Sequence, residues 1–138
     1  MNVKQLVNNF FMEQGTAGAQ NFSINVAISN LKGNEEVQWT TSYQRKCKRV
    51  ADEYERKICK LESQWSAINL LVSRMVSLRA DCRKSSNPKG CMETLQRTML
   101  SERAKQRKLR EMISQIRRQK DEALRNKVAA QRQQQVAQ

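Results

Sequence analysis

From Tyr43 to Cys82 the chain sets apolar residues at unbroken steps of three or four: Cys47, Val50, Tyr54, Ile58, Leu61, Trp65, Ile68, Val72 and Met75. Such spacing puts them on one face of a helix, with one extra four-residue step near Tyr54 and Ile58. An uninterrupted helix of that length would run roughly 60 Å. In water it needs a partner along its whole face, because helices gain most of their stability from packing. Between Trp65 and Leu78 the stripe widens to take in Leu70, Leu71 and Val76, which calls for more than one neighbour.

The partner follows in the chain. Residues 83–90 contain Ser85, Ser86, Asn87, Pro88 and Gly90, all residues that interrupt helices and form turns. Beyond them a second helical pattern carries Met92, Leu95, Met99, Leu109, Met112, Ile113, Ile116, Leu124 and Val128. With the chain reversed near Ser86, Leu95 would face Leu78, Ile113 would face Leu61, Leu124 would face Val50 and Val128 would face Cys47. One stretch breaks this register: Ser101 to Lys108 is almost wholly polar, yet it would oppose Trp65 to Val72, the most apolar part of the first helix. The N-terminal region or another subunit must cover that surface. Trp65, Ile68, Leu71, Val72 and Met75 are therefore candidate partner contacts, since an uncovered patch of this kind marks an interface.

Ahead of the long seam, Val3, Leu6, Val7, Phe10 and Phe11 predict a short helix between Asn2 and Gln14, stopped by Gly15 and Gly18. Phe22, Ile24, Val26 and Ile28 alternate with polar or small residues, and Val37, Trp39 and Thr41 alternate again after the turn-like Asn30–Asn34 stretch. That pattern predicts a small β-hairpin. The expected fold is thus mainly α: a long, antiparallel, coiled-coil-like helical hairpin with a short N-terminal helix and a small β-hairpin. Residues 1–43 would form the N-terminal interaction segment and 44–128 the helical hairpin with its turn at 83–90. Residues 129–138 would be a flexible Gln-rich tail.

Charge divides the chain. The formal net charge is +13, but Lys4 and Lys32 are outnumbered by Glu13, Glu35 and Glu36 in the first 43 residues, so the excess lies beyond Tyr43. It is densest on the second helix, where Arg103, Arg107, Lys108, Arg110, Arg117, Arg118, Lys120 and Arg125 make a basic docking face opposed by few carboxylates. Such a face seeks an acidic protein surface, nucleic acid or anionic lipid. No aromatic residue lies within the run, so base stacking is not expected and any nucleic-acid contact would be to phosphates. No stretch of 18 apolar residues occurs, so no membrane span is expected. The N-terminus makes a poor signal peptide, which favours a place inside a cell or an assembled particle.

The cysteines are Cys47, Cys59, Cys82 and Cys91, and the chain has no histidine. Their wide spacing disfavours a zinc site, which uses close pairs. Cys82 and Cys91 bracket the turn and either bond there, which implies an oxidising compartment, or remain as two thiols. Cys47 and Cys59, on one continuous helix, would be too far apart to bond and would fill the seam. No base stands ready beside a nucleophile and no glycine-rich phosphate loop occurs, so neither an enzyme nor a cofactor is expected. The reading that follows is a non-enzymatic subunit of a larger assembly, docking on other protein subunits as a homo- or hetero-oligomer. The alternative is a nucleic-acid-binding protein, such as a ribonucleoprotein or virion component, using the basic helix.

Overall fold

The computed structural model describes residues 22–137. The helix expected over residues 2–14 lies outside them. The described chain is mainly α-helical, as expected, and contains no strand. Its elements are α1 (Ile24–Ser42), a π-helical turn (Tyr43–Cys47), α2 (Glu53–Ser77), a single-turn α3 (Arg79–Arg83) and a long α4 (Pro88–Ala137).

The expected β-hairpin is instead α1. The same residues that alternate also satisfy a helical period: Ile24, Ile28 and Leu31 stand at i, i+4 and i+7, and all three pack on the core. Ser23 caps the helix, its hydroxyl accepting from the Val26 amide at 3.3 Å. Val26 and Val37, assigned to the strands by alternation, point to solvent at 59% and 63% exposure. Tertiary packing of one face outweighs the weak β preference of Val and Ile.

The helix expected to run unbroken from Tyr43 to Cys82 is divided. Lys48 to Asp52 turn the chain, with the Val50 amide bonded to the Cys47 carbonyl at 3.0 Å and the Arg56 guanidinium donating to the Val50 carbonyl at 3.0 Å. Asp52 then caps α2, accepting from the Glu55 amide at 2.9 Å, and Glu53 and Glu55 complement the helix N-terminus. The turn brings Cys47 and Cys59 into a disulfide with Cα atoms 5.5 Å apart. Twelve residues along one straight helix would separate them by roughly 18 Å, which is why the sequence pattern ruled the bond out. Cys82 and Cys91, the pair expected to meet, are joined at a Cα separation of 5.3 Å. Asn87 caps α4 by accepting from the Gly90 amide at 3.1 Å, and Pro88 takes the first helical position, where its missing N–H is harmless. The breaker stretch is therefore shorter than residues 83–90.

α2 and α4 run antiparallel, as the Asn69–Arg103 and Glu55–Lys120 pairs show, and α1 packs on both as a third helix, so the expected two-helix hairpin becomes a three-helix arrangement. One core cluster joins Ile28 of α1 to Leu71 and Met75 of α2, Leu95 of α4, and the Cys82–Cys91 bond. A second joins Ile58 and Leu61 to Ile113. Between them lies a polar layer. Glu102 and Gln106, at 2% and 4% exposure, are the residues of the Ser101–Lys108 stretch that face inward. Glu102 is met by Lys105 at 3.0 Å and by Lys32 of α1 at 3.6 Å. Gln106 donates to the Trp65 carbonyl at 3.1 Å. The stretch that broke the expected register is thus satisfied by hydrogen bonds and ion pairs, and the neighbour that the wide stripe required is α1.

Candidate docking surface along α4

Residues expected to contact a partner fall into two groups. Ile68, Leu71, Val72 and Met75 are at most 5% exposed. They form the protein's own core, so they are corrected from partner contacts to packing residues. Only Trp65 is partly open. The basic residues, by contrast, stay on the surface, and the fold sorts them by what they touch.

Four of the eight are held by the rest of the chain. Arg117 pairs with Glu62 of α2 at 3.2 Å. Lys120 pairs with Glu55 at 2.8 Å and with Asp52 at 4.0 Å. The hydrogen bond it donates to Glu55 holds the Lys120 ammonium above the usual lysine range. Arg103 donates to Asn69 at 2.9 Å and to Gln106 at 2.7 Å. The Arg110 guanidinium lies over the Trp65 ring, 4.7 Å from its centre. Arg107, Lys108, Arg118 and Arg125 are exposed. Among the described residues, Arg103, Arg107, Lys108, Arg110, Arg118 and Arg125 face no carboxylate within ion-pair distance.

Helical spacing orders these side chains. Arg103, Arg107, Arg110, Ser114 and Arg117 stand at i, i+4, i+7, i+11 and i+14, one stripe along α4. The stripe borders the seam where α4 meets α2. Two grooves open there: one of about 450 Å³ bounded by Glu62, Trp65, Ser66, Arg110, Ser114 and Arg117, and one of about 180 Å³ bounded by Trp65, Arg103, Arg107 and Arg110. Trp65 and Arg110 border both. The aromatic ring absent from the basic run in sequence is supplied by α2, across the groove. The antiparallel register already paired these regions in sequence. What the sequence could not give was the side to which Trp65 turns.

A second feature is the free end of α4. Every side chain from Asp121 to Val136 is exposed, including Leu124 at 59% and Val128 at 39%. These two continue the seam of Ile113 and Ile116. Their expected partners, Val50 and Cys47, are withdrawn by the turn at Lys48–Asp52, so α4 projects roughly 25 Å past the start of α2. Residues 129–137, expected as a flexible tail, continue this helix.

The remaining chemistry is sparse. All four cysteines are bonded. No group of three or more His, Cys, Asp or Glu side chains is placed to hold a metal ion among the described residues, and no described helix is long and apolar enough to cross a membrane. On the α1 side, burial and then the neighbouring Glu102 carboxylate push Glu35 above the usual carboxylate range, against the pull of Lys105 and Lys32. Comparison with protein-family models, with curated proteins and with solved structures finds no match.

Proposed function

We propose that this chain is a non-enzymatic subunit of a larger macromolecular assembly and that it docks through α4. The observation that carries the reading is the projecting end of α4, where Leu124 and Val128 continue an apolar seam that α2 no longer covers. A lone exposed helix is marginal in water, so a helix that ends beyond its own fold with an apolar stripe gains its stability from a neighbour. The neighbour is a different, acidic protein rather than a second copy. Arg118 and Arg125, both exposed, stand at and within the projecting segment, and a net charge of +13 sets two copies against each other. Two disulfides suit assembly in a compartment or particle where thiols oxidise.

The test places a photoreactive side chain at Leu124, at Val128 or at Asn126, which lies on the opposite face, in the source cell. The expected result is one discrete adduct with an acidic protein from positions 124 and 128 and none from 126. Equal adducts from all three positions, or adducts only with a second copy, would refute it.

A further inference from the structure

We infer that the groove around Trp65 and Arg110 is a binding site for single-stranded nucleic acid, with a base stacked on the Arg110 guanidinium and phosphates held by Arg103, Arg107 and Arg117. The inference stands apart from the assembly reading, because it concerns the α2–α4 seam rather than the projecting end.

Three observations converge on it. First, the arginines are arranged for a strand. Arg103, Arg107, Arg110 and Arg117 occupy one stripe of α4, about 21 Å from end to end at the helical rise. Among the described residues, Arg103, Arg107 and Arg110 have no carboxylate within ion-pair distance. A structural ion-pair network would have spent them; here their positive charge remains available for phosphate.

Second, the site is preset. The Arg103 guanidinium is fixed by Asn69 and by Gln106, and Gln106 is itself buried and anchored to the Trp65 carbonyl. Ordering a long arginine before the ligand arrives lowers the entropy that binding must overcome. Arg117, held by Glu62 between two exposed side chains, can exchange that carboxylate for a phosphate at little loss, since water and salt screen an exposed pair.

Third, an aromatic plane lies inside the basic stripe. Arg110 rests on Trp65 at 4.7 Å, and grooves open on both sides of that pair. An arginine plane backed by an indole presents a flat, cationic outer surface on which an unpaired base can stack. A duplex keeps its bases inside and cannot use it. An acidic helix could meet the arginines but has no use for the plane. The combination of stacking platform and phosphate-tracking charge is the signature of single-strand binding without sequence preference.

The experiment uses the full-length chain carrying Trp39→Phe, so that Trp65 is the only tryptophan. Its fluorescence is followed on titration with a 12-nucleotide oligothymidylate, a duplex of the same length, and polyglutamate. The expected result is quenching by the single strand, with affinity at least tenfold above that for duplex or polyglutamate. Its log–log salt slope should lie near −2, about 0.7 for each of the three phosphates contacted. Arg107→Glu, at an exposed position without an ion pair, should weaken binding at least tenfold and shrink the slope, while the circular dichroism spectrum is unchanged. Arg110→Lys keeps the charge and loses the plane, so it should cut the quenching and the preference for single strand over polyglutamate. Polyglutamate binding as tightly as the oligonucleotide would overturn the inference in favour of an acidic protein partner. So would preference for the duplex, or a slope unaffected by Arg107→Glu.

Discussion

Removing the two disulfides one at a time separates what each contributes, and the structure predicts which loss is larger. The bonds close loops with sequence separations of 12 and 9. Loop-closure entropy alone assigns about 3 kcal/mol to Cys47–Cys59 and about 2.5 kcal/mol to Cys82–Cys91, a slight advantage to the former. Packing reverses the order. Cys82 and Cys91 are both buried within the larger core cluster, beside Ile28, Met75 and Leu95. Cys47 is fully buried outside the two apolar clusters, with the Ser63 hydroxyl 3.6 Å from its sulfur, and Cys59 is only partly covered. Truncating both buried sulfurs at the tip leaves a void whose cost adds roughly 1 kcal/mol or more to the entropic loss. The Cys82→Ala, Cys91→Ala chain should therefore lose about 3.5–4 kcal/mol, against about 3 kcal/mol for Cys47→Ala, Cys59→Ala.

Urea unfolding followed by circular dichroism measures both. With a slope of about 1.5 kcal/mol per molar, each loss lowers the midpoint by roughly 2 M or more. Reducing both bonds together should remove most of the 5–15 kcal/mol that a domain typically commands. Tryptic peptides of the unreduced protein test the connectivity directly, because each cysteine falls in a different fragment. A midpoint shift below 0.5 M for either pair would refute the reasoning. So would a clearly larger loss from the Cys47 pair, or peptides joining Cys47 to Cys82.

Two further outcomes test the packing around α1. Gly33 sits within the helix, and a Cβ there would meet nothing within 4 Å, so Gly33→Ala should stabilise the fold by about 0.5–1 kcal/mol; a lower melting temperature would place α1 differently. Glu35 has its pKa raised by burial and by Glu102. An acid with a raised folded pKa stabilises the fold while protonated and loses that contribution as pH rises through the folded value. Glu35→Gln should therefore raise the melting temperature at pH 7, with the advantage over the parent shrinking as pH falls through the raised folded value and gone below the ordinary value of 4.5; an advantage that is constant with pH would count against the Glu35–Glu102 repulsion.

The helical class, the break after Cys82 and the meeting of Cys82 and Cys91 at the turn were legible in the sequence, because each depends on local spacing or turn chemistry, while spacing alone left open whether those two cysteines bond. Two of the departures, at the expected β-hairpin and at the expected unbroken helix, share a cause: one pattern served two structures. Residues 22–29 alternate and also repeat at helical spacing, and only the availability of a core at Leu71, Met75 and Leu95 decides for the helix. Likewise the seam from Cys47 to Tyr54 reads straight through the turn at Lys48–Asp52. A cue to that turn was present in Asp52 followed three residues later by Glu55, a helix-start signal, but the unbroken apolar rhythm masked it.

The same turn links the fold to the proposed docking. Had the first helix continued back to Tyr43, Val50 and Cys47 would have covered Leu124 and Val128, and α4 would have ended as an ordinary buried arm. By folding Cys47 onto Cys59, the chain strips its partner from the last third of α4 and leaves that seam open to another molecule. The disulfide that fixes the turn thus also maintains the free surface. Its loss should allow the segment between Tyr43 and Glu53 to compete for Leu124 and Val128. The assembly proposal therefore predicts that the Cys47→Ala, Cys59→Ala chain gives weaker adducts from position 124 than the parent under conditions where both remain folded. Undiminished adducts would mean that the turn holds without its bond and that the open seam is set by Asp52 and the Arg56–Val50 contact alone.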